Sequence, residues 1–339
     1  MQRLSILVLG AFLAVLVGST QGRSADDKVA ESLDKAKTKY DAELKKAQAA
    51  VGEYFDKDLK KAQDKGDKKR VERIKDEQKA FDHHGILSTT APQPLQTTVK
   101  AQRAAIESAY TTAVKAYTKA KKDDLAAAVE KDWNKFQTDG MLSIAPGRDL
   151  WIPMFNGTDL TGWEILDKPV VPPWKVVDGA ILGENKEKNG EAVWLRTINK
   201  QFDNYHVRMD VLCSKNCLSY FHFRDSAAAG ANYNITLRSG RSVTGSLAKH
   251  SKRLNIINQV MKNVDGPHLP ENEWFTVEII ARGYSISIFV NGQKKFEVVD
   301  ADQLSEKGAF SLDLQEQGSL IRIRKLDILT LPPLSPVKK

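Results

Sequence analysis

The sequence predicts an all-β jelly-roll sandwich preceded by an α-helical hairpin or coiled-coil region. Three observations predict it: helical spacing of apolar residues in a polar N-terminal third, a change of composition near residue 139, and alternation of β-branched or aromatic residues with polar ones in the C-terminal half. A period of two is typical of strands with one buried face, and steps of three and four are typical of amphipathic helices. The 339 residues are enough for two modest domains and a targeting segment.

The first segment has the layout of a secretory signal. Arg3 supplies a positive charge, residues 4–17 form an apolar run, and small residues follow. The run is short for a hydrocarbon core about 30 Å thick, and its flanks are those of a signal peptide. We expect residues 1–22 to be removed and the mature protein to be exported, to the periplasm or the extracellular space, with no integral membrane segment.

The charge balance is mildly basic, with a formal net charge of +8. A nucleic-acid-binding protein would concentrate this charge on one face beside aromatic residues. Here most lysines of the N-terminal third alternate with acidic residues, which is typical of a solvated helix surface. We therefore expect no nucleic-acid partner.

The two cysteines, Cys213 and Cys217, are separated by a three-residue segment that predicts a turn. Export to an oxidising compartment favours a disulfide, and two buried thiols are the alternative. A metal site would need further ligands, and only His222 is close in sequence. We expect no metal at this place, and the sequence indicates no particular cofactor.

Residues 25–138 are predicted to form paired helices. Two apolar series step by three and four residues, which gives each helix a narrow apolar stripe, the seam of a coiled coil or helical hairpin. These series are Tyr40, Leu44, Ala47, Val51 and Tyr54, and Ile106, Tyr110, Ala113, Tyr117 and Ala120.

The same region looks internally repeated. Residues 51–81 can be laid on residues 106–136, and each copy carries a charged break, where Gly66 is suited to end a helix in the first copy. Residues 83–98 are expected to connect the copies. A spacer, a partner-docking surface or self-association through the helices is the range of roles left open.

A linker at residues 139–150 leads into residues 151–331, where many short strands are predicted. Asn291-Gly292 between alternating segments is a strong hairpin signal. The alternation changes phase after Arg324, which predicts a β-bulge at Lys325. Short strands with turn signals and no helical stretch are typical of a two-sheet jelly roll. Residues 332–339 are expected to form a C-terminal tail.

Several phrases of this half, taken in order, resemble the 3-keto-disaccharide hydrolase domain family. The opening phrase is Phe-Asn-Gly-Thr-Asp-Leu-Thr-Gly-Trp at 155–163, and others lie at 174–181, 202–208, 273–277, 290–292 and 314–326. The resemblance implies a concanavalin A-like jelly roll that acts on a carbohydrate ligand. In such chemistry a carbonyl at C3 of the sugar acidifies the C2 proton, a base removes that proton, and the glycosidic oxygen leaves before water adds.

The sequence departs from the family pattern where polar groups are expected. Asn234 and Thr236 replace the acid and the amide of the family's central strand, and Glu316-Gln317 replaces the Asp-His of its closing strand. The loop at 216–219 also differs. An asparagine cannot act as a carboxylate base, so these replacements leave it open whether the domain is an enzyme.

The candidate site residues follow from the resemblance. His222 and Glu316 are the expected acid–base pair, and the expected substrate-binding residues are Arg224, Gln315, Asn234, Trp174 and Trp194. Each has a structural alternative. His222 alternates with phenylalanines and fits a hydrogen-bonded histidine of a sheet, Arg224 could hold a loop carbonyl, and a buried tryptophan is common in sandwich cores.

Three functions fit these observations. The expected one is an exported hydrolase or lyase of 3-keto-disaccharides or related glycosides. The alternative is a non-catalytic glycan-binding module displayed on a helical spacer. The third is an envelope protein in which the helices act and the sandwich adheres.

Overall fold

The computed structural model describes residues 24–138, 141–145, 150–166, 172–186, 191–199, 201–215, 217–228, 230–240, 243–265 and 268–337. The chain divides into two compact units, Met1–Leu150 with Leu334–Lys339, and Trp151–Pro333. The predicted signal peptide, residues 1–22, lies outside the described residues, as do parts of the predicted linker at 139–150.

Among its described residues, the first unit contains four helices and two short parallel strands. In chain order they are α1 (Ala25–Asp64), α2 (Lys68–His84), β1 (Ile86–Leu87), α3 (Gln93–Lys119), α4 (Asp123–Thr138) and β2 (Ser143–Ile144). A capping box starts α1, because the Ser24 hydroxyl accepts from the Asp27 amide and the Asp27 carboxylate accepts from the Ser24 amide. No helix among the described residues is long and apolar enough to cross a membrane.

The predicted repeat coincides with two helix-turn-helix copies. The turn after Asp64 and the turn after Lys119 fall at equivalent places when residues 51–81 are laid on 106–136. Gly66 and Lys121 occupy the same place in the two turns, with φ of +65° and +56°. The predicted connection at 83–98 was too long, since α3 already begins at Gln93. Pro94 is tolerated in the first turn of α3, because a missing N–H there costs no helix hydrogen bond.

The helices bury two apolar clusters. Leu33 and Tyr40 of α1 pack with Tyr110 of α3 and Trp133 of α4 in the first, whereas Val51 and its neighbours pack with α2 in the second. Because separate stretches of α1 serve the two clusters, its apolar stripe is used along most of its length. The prediction of helices is confirmed, and a coiled-coil seam stays a prediction.

Part of the expected C-terminal tail packs on α4. The indole Nε1 of Trp133 donates to the Ser335 carbonyl over 2.7 Å, and Gln137 exchanges two hydrogen bonds with the Ser335 backbone. Gln137 is fully buried. The side-chain amide thus pairs with the tail as a neighbouring strand would.

The second unit contains the remaining strands. They are β3 (Trp151–Pro153), β4 (Trp163–Ile165), β5 (Trp174–Val177), β6 (Ala180–Glu184), β7 (Val193–Thr197), β8 (Tyr205–Cys213), β9 (Ser219–Ser226), β10 (Ala231–Leu237), β11 (Leu247–Ser251), β12 (Ile256–Lys262), β13 (Trp274–Arg282), β14 (Ser285–Val290), β15 (Gln293–Val299), β16 (Ala309–Leu314) and β17 (Leu320–Thr330).

Two antiparallel sheets form among these described strands, as the predicted jelly-roll sandwich requires. The seven-stranded sheet has the order β12-β11-β10-β9-β16-β7-β4, and the eight-stranded sheet has the order β15-β14-β13-β8-β17-β6-β5, with β3 on β17. Alternate residues of β8, β9 and β13 meet between the sheets, where Val207, Phe221 and Val277 have no exposed surface. The opposite faces carry the polar residues of each strand.

Local turn and bulge predictions are confirmed. Asn291 and Gly292 both have positive φ, of 50° and 71°, and they join β14 to β15 as a two-residue hairpin. Lys325 has a φ of +49°, and the register of β17 against β8 shifts between Arg324 and Asp327. β17 advances three residues there while β8 advances two, and this one extra residue keeps Leu326 and Ile328 on the core-facing side with Ile321 and Ile323.

The two cysteines are free and fully buried in this structure. A hydrogen bond with the Cys217 thiol and burial raise the pKa of the Cys213 thiol well above its usual value. Of the two alternatives that the sequence left open, the structure contains the pair of buried thiols.

Candidate active site

A groove with a volume of about 620 Å³ crosses the outer face of the seven-stranded sheet. It is lined by side chains of β7, β9, β10, β11, β12 and β16 and by the segments next to them. Alternate residues of β9 face the groove and the core. Tyr220 and His222 line the groove, whereas Phe221 and Phe223 fill the core with no exposed surface.

His222 and Asp313 form a hydrogen-bonded pair in the floor of this groove. The imidazole Nε2 lies 3.3 Å from Asp313 Oδ2, and the carboxylate side chain is 1% exposed. The same carboxylate accepts a hydrogen bond from the Tyr220 backbone N–H over 2.8 Å and another from the Gln315 side-chain amide. A buried carboxylate needs such donors, because an unpaired charge is costly away from water.

This arrangement sets the tautomer of the imidazole. Asp313 already accepts from two donors and as a carboxylate can only accept. His222 therefore carries its proton on Nε2 and donates it to Asp313, which leaves a lone pair on Nδ1. Asn232 Oδ1 lies 3.4 Å from Nδ1; because an amide oxygen only accepts, this lone pair is matched when the Asn232 amide turns its NH2 toward it or when an entering ligand takes its place. The pair has the geometry of a base held in place by a carboxylate.

Two aromatic side chains flank the imidazole. The Trp194 ring is half-buried and its centroid lies 4.9 Å from that of His222. The Tyr220 ring lies 6.2 Å away on the same strand as His222. Burial and the nearby charge of Asp313 raise the pKa of the Tyr220 phenol, so its hydroxyl stays protonated and can donate a hydrogen bond at neutral pH. An apolar ring face and a phenolic donor are the groups that suit a sugar.

Four of the predicted site residues lie together in the groove: His222, Asn234, Gln315 and Trp194. Glu316 does not line it. Its side chain is 48% exposed and its carboxylate lies 4.0 Å from the Arg238 guanidinium at the rim. The structure does not place Glu316 with His222 in the groove: Asp313, three residues earlier in the chain, lies beside the imidazole instead.

Arg224 lies outside the groove, contrary to expectation. It is fully buried, and its guanidinium donates to the backbone carbonyls of Asp203, Gly283 and Ser305. Its φ of +50° belongs to a bulge in β9, and that bulge turns the side chain away from the groove. Arg224 therefore has the structural role that the sequence left open: it holds loop carbonyls.

Trp174 also lies outside the groove. It is 1% exposed and belongs to the core of the sandwich. Its ring covers Gly183 on the paired strand so closely that a Cβ at 183 would lie 2.3 Å from ring carbon Cζ3. The indole fills a gap between the sheets and cannot reach a sugar in the groove.

Asp313 was missed at the sequence level, although a signal for it exists. Ser311, Asp313 and Gln315 alternate with Phe310, Leu312 and Leu314 along the closing strand. A carboxylate in the middle of an otherwise apolar strand is rarely buried without a partner. The place of the family's Asp-His after Leu-Gln is Glu316-Gln317, which begins three residues further along the chain than Asp313.

No group of three or more His, Cys, Asp or Glu side chains within the described ranges could hold a metal ion. The described groove lining offers two imidazoles, His222 and His250, with a buried carboxylate, a phenol, a guanidinium and several amides. The amides belong to Asn232, Asn234, Asn258, Asn263 and Gln315.

Comparison with known proteins gives one match in sequence and several in structure. The sequence model of the 3-keto-alpha-glucoside-1,2-lyase-like domain matches residues 150–329, the stretch that contains all the phrases described above. No curated protein matches the chain.

Similar solved structures include three bacterial proteins. A candidate glycosyl hydrolase from Parabacteroides distasonis ATCC 8503 is 17% identical over 54% of this chain and 94% of its own, with a TM-score of 0.40. The carbohydrate-binding module CBM66 from Bacillus subtilis is 13% identical over 53% of this chain and 100% of its own, with a TM-score of 0.39. A Bacillus subtilis protein with a galectin-like fold is 11% identical over 50% and 90%, with a TM-score of 0.40. Likenesses of this strength say nothing about the ligand or chemistry of this chain.

Proposed function

The chain belongs to the family of 3-keto-alpha-glucoside-1,2-lyase-like domains, and on that premise we propose that it cleaves 3-keto glycosides by eliminating the glycosidic oxygen in the groove around His222 and Asp313. Membership makes it a carbohydrate-active protein. The observation that carries the finer proposal is the buried Asp313 carboxylate at 3.3 Å from Nε2 of His222. It leaves Nδ1 as a base within a groove that also holds an aromatic ring face.

The first step is the removal of the C2 proton. A carbonyl at C3 lets the negative charge that develops at C2 spread onto the C3 oxygen, which makes this proton acidic. Nδ1 of His222 takes the proton, and the Asp313 carboxylate stabilises the resulting imidazolium through the Nε2–H bond.

The second step breaks the glycosidic bond. The electron pair left at C2 forms a double bond to C1, and the glycosidic oxygen leaves with its electrons. The Tyr220 phenol has a raised pKa and stays protonated, so it can donate a hydrogen bond to that oxygen as charge develops there, and the proton that completes the alcohol comes from the His222 imidazolium or from water. The guanidinium of Arg238, also in the groove lining, is suited to stabilise charge on the C3 oxygen. Addition of water across the new double bond would complete a net hydrolysis.

The remaining assignments follow the sequence. We propose that residues 1–22 direct export to the periplasm or extracellular space, that residues 151–331 form the catalytic domain, and that residues 25–138 act as a helical spacer that can self-associate. The 332–339 tail is proposed to anchor on the helices through Ser335, where Trp133 and Gln137 hold its backbone.

The test is release of the leaving group from a 3-keto-glucoside by the full chain. We expect wild type to release it and His222→Gln to lose about 10²- to 10⁴-fold in rate, the range of general-base catalysis. His268→Gln is the matched control, since His268 is exposed and does not line the groove. Equal activity of His222→Gln and wild type would contradict the proposal.

A second function, a glycan-binding module without catalysis, is favoured by the lining of the groove. Its amides and the half-buried Trp194 suit the recognition of hydroxyl groups and sugar faces. The two functions differ in one respect. A binding module would hold an unoxidised glycoside as tightly as its 3-keto form and would release nothing from either.

A further inference from the structure

A second imidazole, that of His250, lines the groove beside the catalytic pair. On β11, Ala248 and His250 face the groove, whereas Lys249 and Ser251 are buried on the other face of the strand. The His250 side chain is half-buried, and within the described part of the chain no hydrogen bond or ion pair engages its imidazole. An imidazole in this state can exchange a proton with a ligand or a water molecule.

The sheet register places the two imidazoles on either side of one short stretch of the groove floor. His222 lies opposite Asn234, Asn234 lies opposite Ala248, and His250 follows Ala248 by two residues. Two interstrand spacings across the sheet and two residues along β11 put the Cα atoms of the two histidines about 12 Å apart. Because Ala248 contributes only a methyl group to this floor, there is room for a sugar ring with a water molecule beside it.

The Asn232 side chain lies between the two imidazoles. Asn232 is directly opposite His250 in the register, and its side-chain amide is 3.4 Å from Nδ1 of His222. An amide offers both a donor and an acceptor, the groups that hold a water molecule in place. In a sugar whose C2 proton faces His222, the bonded neighbour C1 lies next to such a water molecule.

The reaction needs a base at C1 once the glycosidic bond has broken. His222 then holds the proton taken from C2, and Asp313 accepts the Nε2–H bond of that imidazolium. The Tyr220 phenol stays protonated, and a guanidinium such as that of Arg238 does not release a proton. His250 is the remaining base in the described lining.

From this arrangement we infer that His250 is the base that activates water for addition to C1, so that the groove carries a glycoside through to the hydrated 3-keto sugar and does not release the unsaturated sugar as its product. This inference rests on the proposed function. It makes His250 a second catalytic residue and makes the net reaction a hydrolysis.

The added step balances as follows. His250 takes a proton from water as the water oxygen bonds to C1, and the electron pair of the C1–C2 double bond moves toward the C3 oxygen. The pair returns to C2, which takes a proton from the His222 imidazolium. His250 then gives its proton to solvent, which balances the proton that the departing alcohol takes up.

The test follows two products of a 3-keto-glucoside in the full chain: the alcohol, and the unsaturated sugar, whose conjugated double bond absorbs in the ultraviolet. We expect wild type to form alcohol and 3-keto-glucose in step, with no accumulation of the unsaturated sugar. His250→Gln should release alcohol within about 3-fold of the wild-type rate but hydrate the unsaturated sugar about 10²- to 10⁴-fold more slowly, after subtraction of the rate in buffer.

The same experiment contains its controls. Retained release of alcohol shows that His250→Gln is folded and binds substrate. His268→Gln should match wild type in both products, since His268 is exposed and does not line the groove. Accumulation of the unsaturated sugar with wild type, or equal slowing of both steps in His250→Gln, would overturn the inference and leave the elimination step standing. Hydration at the wild-type rate in His250→Gln would overturn it as well.

The inference can fail separately from the proposed function. If wild type releases no alcohol, the proposed function has failed, and the unsaturated 3-keto sugar supplied directly decides about His250. Hydration by wild type at least about 10-fold faster than by His250→Gln supports the inference, and equal rates contradict it.

Discussion

Nε2 of His222 lies 3.3 Å from Oδ2 of Asp313, a carboxylate 91 positions away in the sequence. The two residues meet because β9 and β16 are neighbours in the seven-stranded sheet, and the register brings Asp313 opposite Tyr220, two residues before the histidine. A pair built on two adjacent strands is held more firmly than one built on loops.

Asp313→Asn should lower the rate of elimination by about 10²- to 10⁴-fold. The amide offers a donor as readily as an acceptor, so it no longer fixes the proton of His222 on Nε2 or stabilises the imidazolium. The rate of aglycone release from a 3-keto-glucoside measures the loss. Glu316→Gln is the control and should change the rate by less than about 10-fold, because the side chain is 48% exposed at the rim. A larger loss of rate in Glu316→Gln than in Asp313→Asn would assign the catalytic role to Glu316.

Arg224→Lys should lower the free energy of unfolding by at least about 3 kcal/mol. A lysine cannot donate to the Asp203, Gly283 and Ser305 carbonyls together, so buried acceptors lose their donors. Urea denaturation measures the change, and Arg253→Lys, on the exposed surface, should change it by less than about 0.5 kcal/mol. A stable Arg224→Lys variant with lost activity would point to a role in the groove after all.

Lys121→Gly should stabilise the helical unit by about 0.5–1 kcal/mol. The left-handed backbone at Lys121 costs an L-residue about 1–2 kcal/mol, and the added freedom of glycine in the unfolded chain offsets part of this gain. Gly66→Lys at the equivalent turn should have the opposite sign. Helical circular dichroism during thermal unfolding gives both changes, and the same sign for both would contradict the equivalence of the two turns.

The Asp300 carboxylate should make part of the stability depend on acid pH. Burial raises its pKa, but hydrogen bonds from Lys249, the Leu304 amide and Tyr233 lower it by more, so the pKa lies below its usual value. A carboxyl whose pKa is lowered on folding adds stability at neutral pH, and this stability is lost as pH falls below about 4 toward the folded-state pKa.

Asp300→Asn tests this charge network directly. The variant should lose about 3–5 kcal/mol at neutral pH, because Lys249 is left buried without its main counter-charge. It should also lose less stability than wild type on acidification. Asp302→Asn removes a carboxylate that bonds to the same lysine but is 47% exposed, and it should cost less than about 1 kcal/mol. Equal losses in the two variants would contradict the role of burial.

The sequence predicted the fold well because the fold depends on local patterns. The alternation in β8 and β13, the Asn291-Gly292 turn and the phase change at Lys325 each report a local conformation that the surrounding residues support. The repeat was visible for the same reason, since turns at equivalent positions leave charged breaks in the apolar series.

The site was predicted only in part because side-chain direction depends on contacts far away in the chain. His222 follows the alternation of its strand with Phe221 and Phe223, so the sequence pattern predicted correctly that its side chain faces the groove. Arg224 follows the same alternation but lies in a bulge with positive φ, opposite Gly308, where a Cβ would lie 2.4 Å from the Arg224 carbonyl carbon. Nothing local to residue 224 reveals that bulge. Asp313 became recognisable as the partner of His222 only once β16 was known to lie beside β9.

The most direct test of the central claim is the exchange of the C2 proton of a 3-keto-glycoside in deuterated water, followed by proton NMR. If His222 removes that proton, wild type exchanges it or consumes it in elimination, and His222→Gln slows both processes by at least about 10²-fold while it still binds the substrate. A His222→Gln variant that depletes the C2 signal as fast as wild type would show that another group is the base.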